Sequence, residues 1–214
     1  MDPRIEKLRE IVRPRYENNG DPGHDFAHVE RVVMSCKRIA ESVGADLSIV
    51  LPAAYLHDVI NVPKNHPDRA AASAKAAEEA RGILRSVGYS EPDIARIAVT
   101  ITEHSYSLGK KPSAIESAVL QDADRLDAVG AIGVMRTVSC GCKMGSRYYD
   151  DAEPFAKTRA LDDKKNTLDH FYVKLLKLAE GMNTEIARIE AERRTEFMRS
   201  FLSQVGREIE GTLT

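Results

Sequence analysis

His28-Val29-Glu30-Arg31-Val32-Val33-Met34-Ser35-Cys36-Lys37-Arg38-Ile39-Ala40-Glu41-Ser42-Val43-Gly44 sets His28, Val32, Cys36, Ile39 and Val43 at steps of three and four. That spacing lines one face of an α-helix and cannot line one face of a strand. The stretch stops at glycine, the residue that most often closes a helix. The same period recurs on both sides of it. Upstream, a helix is predicted over roughly Pro3 to Tyr16, before the turn cluster Asn18-Asn19-Gly20-Asp21-Pro22-Gly23. Downstream, a third helix starts near Asp46 and carries Leu47, Leu51, Ala54 and Asp58 on one side, with Pro52 in its first turn or two.

Asn61 to Pro67 reads as a loop, because each of its two prolines disfavours helix in the residue before it. Asp68 can cap the Ala-rich run Arg69 to Val87, a helix by propensity that ends at Gly88. Another helix from about Glu91 aligns Ile94, Ile97, Ile101 and His104. Ser113-Ala114-Ile115-Glu116 has capping-box spacing for a helix running through Asp124 to about Val138. From Ser139 to about Pro154 the pattern lapses into Gly, Ser, Tyr and Asp, long enough for a lid or binding loop. Amphipathic helix then returns with Phe171, Leu175 and Leu178, Ile186 and Ile189, and Phe197, Phe201, Val205 and Ile209. The reading is an all-α fold. One domain is expected over residues 1–214, with a core at about 20–138 and C-terminal helices at about 155–210 packed on it or on another subunit.

Composition narrows the functions. Thirty-one Lys and Arg against 33 Asp and Glu give a formal charge of -2, which provides no global attraction for nucleic acid. With no Trp and 6% aromatics the chain is poorly supplied for stacking on single strands. No segment has the apolar length of a membrane span, and the charged Met1-Asp2-Pro3-Arg4-Ile5-Glu6-Lys7 is unlike a signal peptide, so a cytoplasmic protein is expected. Cys36, Cys140 and Cys142 are odd in number and form no C-x-x-C pair, as expected of reduced thiols.

His28 and His104 lie on apolar helical faces, and His57-Asp58 sit at a helix end. A lone histidine on such a face is usually a satisfied core residue. Several of them, together with the carboxylates of Asp122-Ala123-Asp124-Arg125-Leu126-Asp127, point to a divalent cation, since buried unpaired imidazoles and carboxylates are costly and a cation compensates both. The mixture of imidazole and carboxylate suits a first-row transition ion better than calcium or magnesium. Periodicity does not separate Asp124 from Asp122 or Asp127.

The order His28, His57-Asp58, Asp124 resembles the H…HD…D signature of the HD-domain superfamily of metal-dependent phosphohydrolases. The neighbourhoods Gly23-His24-Asp25-Phe26-Ala27-His28, Leu56-His57-Asp58, Pro63-Lys64-Asn65-His66-Pro67 and Leu120-Gln121-Asp122-Ala123-Asp124-Arg125-Leu126-Asp127 are similar to a small bacterial subfamily that includes nucleotide pyrophosphohydrolases. The likeness extends to Asp162-Asp163-Lys164-Lys165 and Leu168-Asp169-His170-Phe171, so it covers nearly the whole chain. The resemblance implies an HD helical bundle and one divalent metal per chain held by His28, His57, Asp58 and Asp124. Manganese is the first choice, with nickel, cobalt, iron, zinc or magnesium as alternatives.

On the same resemblance Asp58, His104 and Lys64 are the candidate catalytic groups, and His24, Lys64 and Asn65 the candidate substrate contacts. The acidic residue that some family members carry shortly after the HD pair is missing from Val59-Ile60-Asn61-Val62-Pro63. That leaves the general base without a strong candidate; Glu103, His104 and Asp68 are the assistants available. The implied partner is a small nucleotide, with neither nucleic acid nor membrane, and a homo-oligomer is compatible with it. The implied reaction is hydrolysis of (d)NTP to (d)NMP and pyrophosphate. A phosphomonoesterase or alarmone hydrolase would use the same site, whereas a di-iron oxygenase would need further histidine ligands and a non-catalytic sensor would not need the complete set.

Overall fold

The computed structural model describes residues 2–17, 23–60, 71–105 and 108–211. Among these there are nine α-helices and no strand, the all-α architecture that the periodicity predicts. The chain divides into two compact units, Met1–Arg125 and Leu126–Thr214. No helix among the described residues is long and apolar enough to cross a membrane.

The first unit is built around a helix with little polar surface. α1 (Pro3–Glu17), α2 (Phe26–Val43), α3 (Leu47–Leu56), α4 (Ala72–Ser86) and α5 (Glu91–Glu103) precede α6 (Ile115–Asp127), whose last two residues enter the second unit. α3 touches α1, α2, α4 and α5, and Ile49, Val50, Ala53, Ala54, Tyr55 and Leu56 are all buried. Hydrophobic side chains cover nearly its full circumference, as a helix surrounded by others requires. Asp46 caps its start by accepting the Ser48 N–H at 2.9 Å. Near its end the Tyr16 hydroxyl donates to Tyr55 O at 3.1 Å. The α2 stripe is buried as its spacing predicts, with Val32, Cys36 and Ile39 inside and Gly44 in the left-handed conformation that closes a helix. Burial pushes the Cys36 thiol up, so it is a core residue and not a nucleophile.

Two boundaries differ from the sequence reading. The helix expected to run from Ser113 to Val138 is broken: α6 stops at Asp127 and α7 spans Gly130–Met144. Gly130 has φ +78°, and a Cβ there would lie 3.1 Å from the Arg194 side chain, so the break combines left-handed backbone with a close approach. The segment predicted as a loop from Ser139 is helical to Met144 and ends at Gly145, again left-handed. The capping box also fails to form. Ser113 donates from its N–H and its hydroxyl to the Glu103 carboxylate, each at 3.0 Å, while Glu116 accepts from Asp46 N and Arg96.

In the second unit α7 packs on α9 (Glu185–Ile209), which also meets the 3-10 helix Leu175–Gly181 that follows the short α8 (Asp169–Val173). Phe171 and Phe201 stack with centroids 6.1 Å apart. The connection before α8 is held by Asp169, whose carboxylate accepts from both terminal nitrogens of Arg159 at 2.6 and 2.7 Å and from Asp162 N at 2.7 Å. Asp169 is fully buried. Burial alone would raise its carboxyl, but the Arg159 guanidinium and the Asp162 N–H outweigh that and hold it below the ordinary value of 3.8.

Breaking a buried charge pair costs about 3 kcal/mol or more. Asp169→Asn should therefore lower the thermal midpoint by roughly 6 to 12 °C, read by calorimetry at neutral pH. A lowered folded-state pKa adds stability above the unfolded value that is lost as the pH falls through the folded one. The difference between variant and wild type should thus close on acidification, and an unchanged midpoint at neutral pH would show that the pair contributes nothing.

Candidate metal centre

Four helices of the first unit each deliver a piece of one polar cluster. Asp25 caps α2 by accepting the His28 N–H at 2.8 Å, which fixes the first turn and places His28 on its inner face. His57 follows the last residue of α3 in helical conformation, so the most buried helix of the unit ends in the His57-Asp58 pair. His104 follows α5 in the same manner. Asp124 lies on α6.

Two of the rings have their tautomers set by backbone carbonyls. His57 Nδ1 lies 2.8 Å from Ala54 O and His104 Nδ1 lies 2.6 Å from Ile101 O. Each Nδ1 must donate, which turns Nε2 inward. His57 Nε2 then stands 3.3 Å from His28 Nε2, with both residues fully buried. His57 Nε2 is 3.6 Å from Asp58 Oδ2, and His28 Nε2 is 3.7 Å from Asp124 Oδ1. Asp58 Oδ1 faces His104 Nε2 at 3.5 Å, and its Oδ2 lies 4.0 Å from His24 Nε2.

The donor set fits a divalent cation. Ligand atoms of His28, His57 and Asp58 lie within 4.8 Å of one another, and Asp124 approaches through its contact with His28. Two inward Nε2 atoms at 3.3 Å are best satisfied by a shared positive centre. The ionisation states agree with this. Burial, with the neighbouring imidazoles adding to it, pushes His57 down to about 4, so it is neutral at physiological pH with a lone pair to give. Burial works against the charged form of Asp58, yet His57, His104 and His24 hold its carboxyl well below the usual range. Asp124 is likewise held low against burial by His57, His28 and His104. Neutral imidazoles and ionised carboxylates are the forms a metal requires. His104 differs: burial opposes its charge, but the Asp58 carboxylate outweighs that and raises its pKa.

His24, His28, His57, Asp58, His104 and Asp124 are therefore brought together from positions 100 residues apart. Lys64 and Asn65, with Asp68 and Arg69, lie outside the described residues. Glu103 accepts the Ser113 N–H and hydroxyl through its Oε2. The structure also separates the three carboxylates that periodicity left level: Asp122 is fully buried, Asp127 is bonded to Arg136 at 2.7 Å, and Asp124 meets His28. Gln121, almost wholly buried at 1% exposure, had no role in the sequence reading. Its only signal there is a polar side chain one helical turn before Asp124.

The HD domain family model matches residues 25–129, the span that holds His28, His57, Asp58, His104 and Asp124. The Bacillus subtilis (strain 168) protein YpgQ is 37% identical over 194 residues, covering 88% of this chain and 86% of the relative. The crystal structure of Bacillus subtilis YpgQ in complex with ADP is similar with a TM-score of 0.75 at 31% identity, over 96% of this chain and 95% of that one. An HD-superfamily hydrolase from Bacillus thuringiensis gives a TM-score of 0.75 at 31% identity, over 97% of each chain.

Proposed function

This chain belongs to the HD-domain superfamily of hydrolases, and from that premise we propose that it is a metal-dependent phosphohydrolase of nucleotides, cleaving a nucleoside or deoxynucleoside triphosphate to the monophosphate and pyrophosphate. The observation that carries the reading is the close set His28, His57 and Asp58, with Asp124 3.7 Å from His28, in which the His57 imidazole is neutral and both carboxyls are held low. A divalent ion held there by His28, His57, Asp58 and Asp124, manganese by preference, would supply a Lewis acid that lowers the pKa of water and neutralises phosphate oxygens. A water oxygen forms the new bond to the α-phosphorus, the bond to the bridging oxygen breaks, and its electron pair leaves with pyrophosphate.

The chain's own groups arrange that displacement. Ala54 O holds the proton of His57 on Nδ1 and keeps Nε2 free. Ile101 O holds the proton of His104 on Nδ1 in the same way, with Nε2 facing Asp58 at 3.5 Å. His104 is the candidate acid–base group of the site. His24, 15% exposed in its side chain and 4.0 Å from Asp58, is the proposed substrate contact. The complex of the related YpgQ with ADP supports a nucleotide as the ligand.

The test is turnover of metal-reconstituted protein against nucleoside mono-, di- and triphosphates, with products identified by mass. Monophosphate and pyrophosphate from a triphosphate is the expected result. Release of inorganic phosphate alone from monophosphates would replace it with a phosphomonoesterase. Lys64 is assigned to substrate phosphate on the family resemblance, so Lys64→Ala should keep its metal and lose activity. One charge-assisted contact is worth roughly 1.5 to 3 kcal/mol, or roughly one to two powers of ten in kcat/KM. Steady-state kinetics with metal content measured in parallel checks this, and an unchanged kcat/KM would remove Lys64 from the site.

A further inference from the structure

The last carbonyls of a helix have no partner within it, and at the end of α5 one buried side chain supplies the partner. Gln121 Nε2 donates to Glu103 O at 2.8 Å and to Lys110 O at 3.0 Å, while its Oε1 accepts from Arg125 Nη2 at 2.9 Å. Both amide hydrogens are thus spent on two carbonyls that bracket the chain leaving α5, and the oxygen is held by the neighbour of Asp124. Glu103 is the residue before His104. The His104 ring is in turn bonded to Ile101 O in the same last turn, so any displacement of that turn carries His104 Nε2 with it, away from Asp58 Oδ1 at 3.5 Å.

We propose that Gln121 is a positioning residue that sets His104 against Asp58, by tying the end of α5 to the helix that carries Asp124. The role rests on the phosphohydrolase reading of the same site. It needs a carboxamide at this length. Methionine fills the same space without donors, glutamate turns oxygens toward both carbonyls, and asparagine is a methylene short. Errors of about 1 Å in a catalytic group cost on the order of a hundredfold in rate.

Gln121→Met and Gln121→Glu test the proposal in two ways. In the metal-free, 15N-labelled protein, long-range proton–nitrogen correlation reads the His104 ring nitrogens directly. In the manganese-loaded protein, kcat and KM for ATP and dATP are measured beside metal content and helicity. The expected result is displaced His104 ring resonances and a kcat lower by about 10- to 100-fold, with KM, bound manganese and circular dichroism at wild-type values. His104 resonances at their wild-type positions in both variants, with kcat unchanged, would overturn it. So would a loss of kcat that only follows loss of metal or helix, since that marks ordinary packing. Should Gln121→Met fail to fold, the Gln121→Glu spectrum decides. If the wild-type protein turns over no nucleotide, the phosphohydrolase reading falls by itself, and displacement of the His104 resonances still upholds the tether while its absence refutes it.

Discussion

His57→Ala should yield a helical protein that retains no bound metal and hydrolyses no nucleotide. The imidazole lost is the most constrained of the cluster: its Nδ1 is bonded to Ala54 O and its Nε2 lies 3.3 Å from His28 and 3.6 Å from Asp58. A four-ligand site worth roughly 10 kcal/mol divides into about 2.5 kcal/mol per ligand, close to a hundredfold in affinity. The real effect should exceed that share, because alanine also opens a fully buried position to water beside the remaining ligands. The fold should survive. His57 sits beyond the last turn of α3, and the apolar packing of Ile49, Val50, Ala53 and Leu56 does not use it. Metal analysis after dialysis, circular dichroism and turnover on one preparation check this, and an active variant without metal would remove His57 from the site.

Asp124→Asn should be the next most damaging change, and it should be selective. Its Oδ1 lies 3.7 Å from His28 Nε2, and the surrounding imidazoles hold the carboxyl ionised against burial. Asparagine keeps the shape and loses the charge, so about a hundredfold weaker metal binding is expected from the same division among ligands, with activity falling alongside. Asp127→Asn should instead weaken the bond to Arg136 at 2.7 Å and lower stability while metal titrates normally. Asp122→Asn should also retain its metal. Titrating manganese into the three variants compares them. Damage centred on Asp122 would shift the ligand assignment by two residues along α6.

Much of this protein is legible without coordinates. The stripe His28, Val32, Cys36 and Ile39, the closing glycine at 44 and the helix starts near Asp46 and Glu91 are all realised, because each is a preference expressed within one or two turns of backbone. The histidines were legible as chemistry for a related reason: an imidazole on an apolar stripe is paired with something, and the stripe shows that it is inside. Order along the chain, compared with a known signature, then pointed to His28, His57-Asp58 and Asp124, of which His28, His57 and Asp58 lie close together.

Other features depended on neighbours distant in sequence. The break at Gly130 was invisible to periodicity, which continues across it; glycine is required there by a left-handed φ of +78° and by the close Arg194 side chain from α9, 64 residues on. Ser113 and Glu116 have the spacing of a cap, yet Glu103, Asp46 and Arg96 compete for their polar atoms and win. Periodicity left Asp122, Asp124 and Asp127 level and the family resemblance picked Asp124; the structure adds that Asp124 meets His28 and Asp127 meets Arg136. Likewise Gln121 is an ordinary polar residue until Glu103 O and Lys110 O are brought against it. Sequence by itself determined the helices, their buried faces and the class of ligand, since backbone conformation and amphipathic burial are set by a residue and its near neighbours. Only the tertiary structure decided which polar atoms face one another, which ring nitrogen is free and which charges survive burial, because these follow from partners that the chain supplies from other helices.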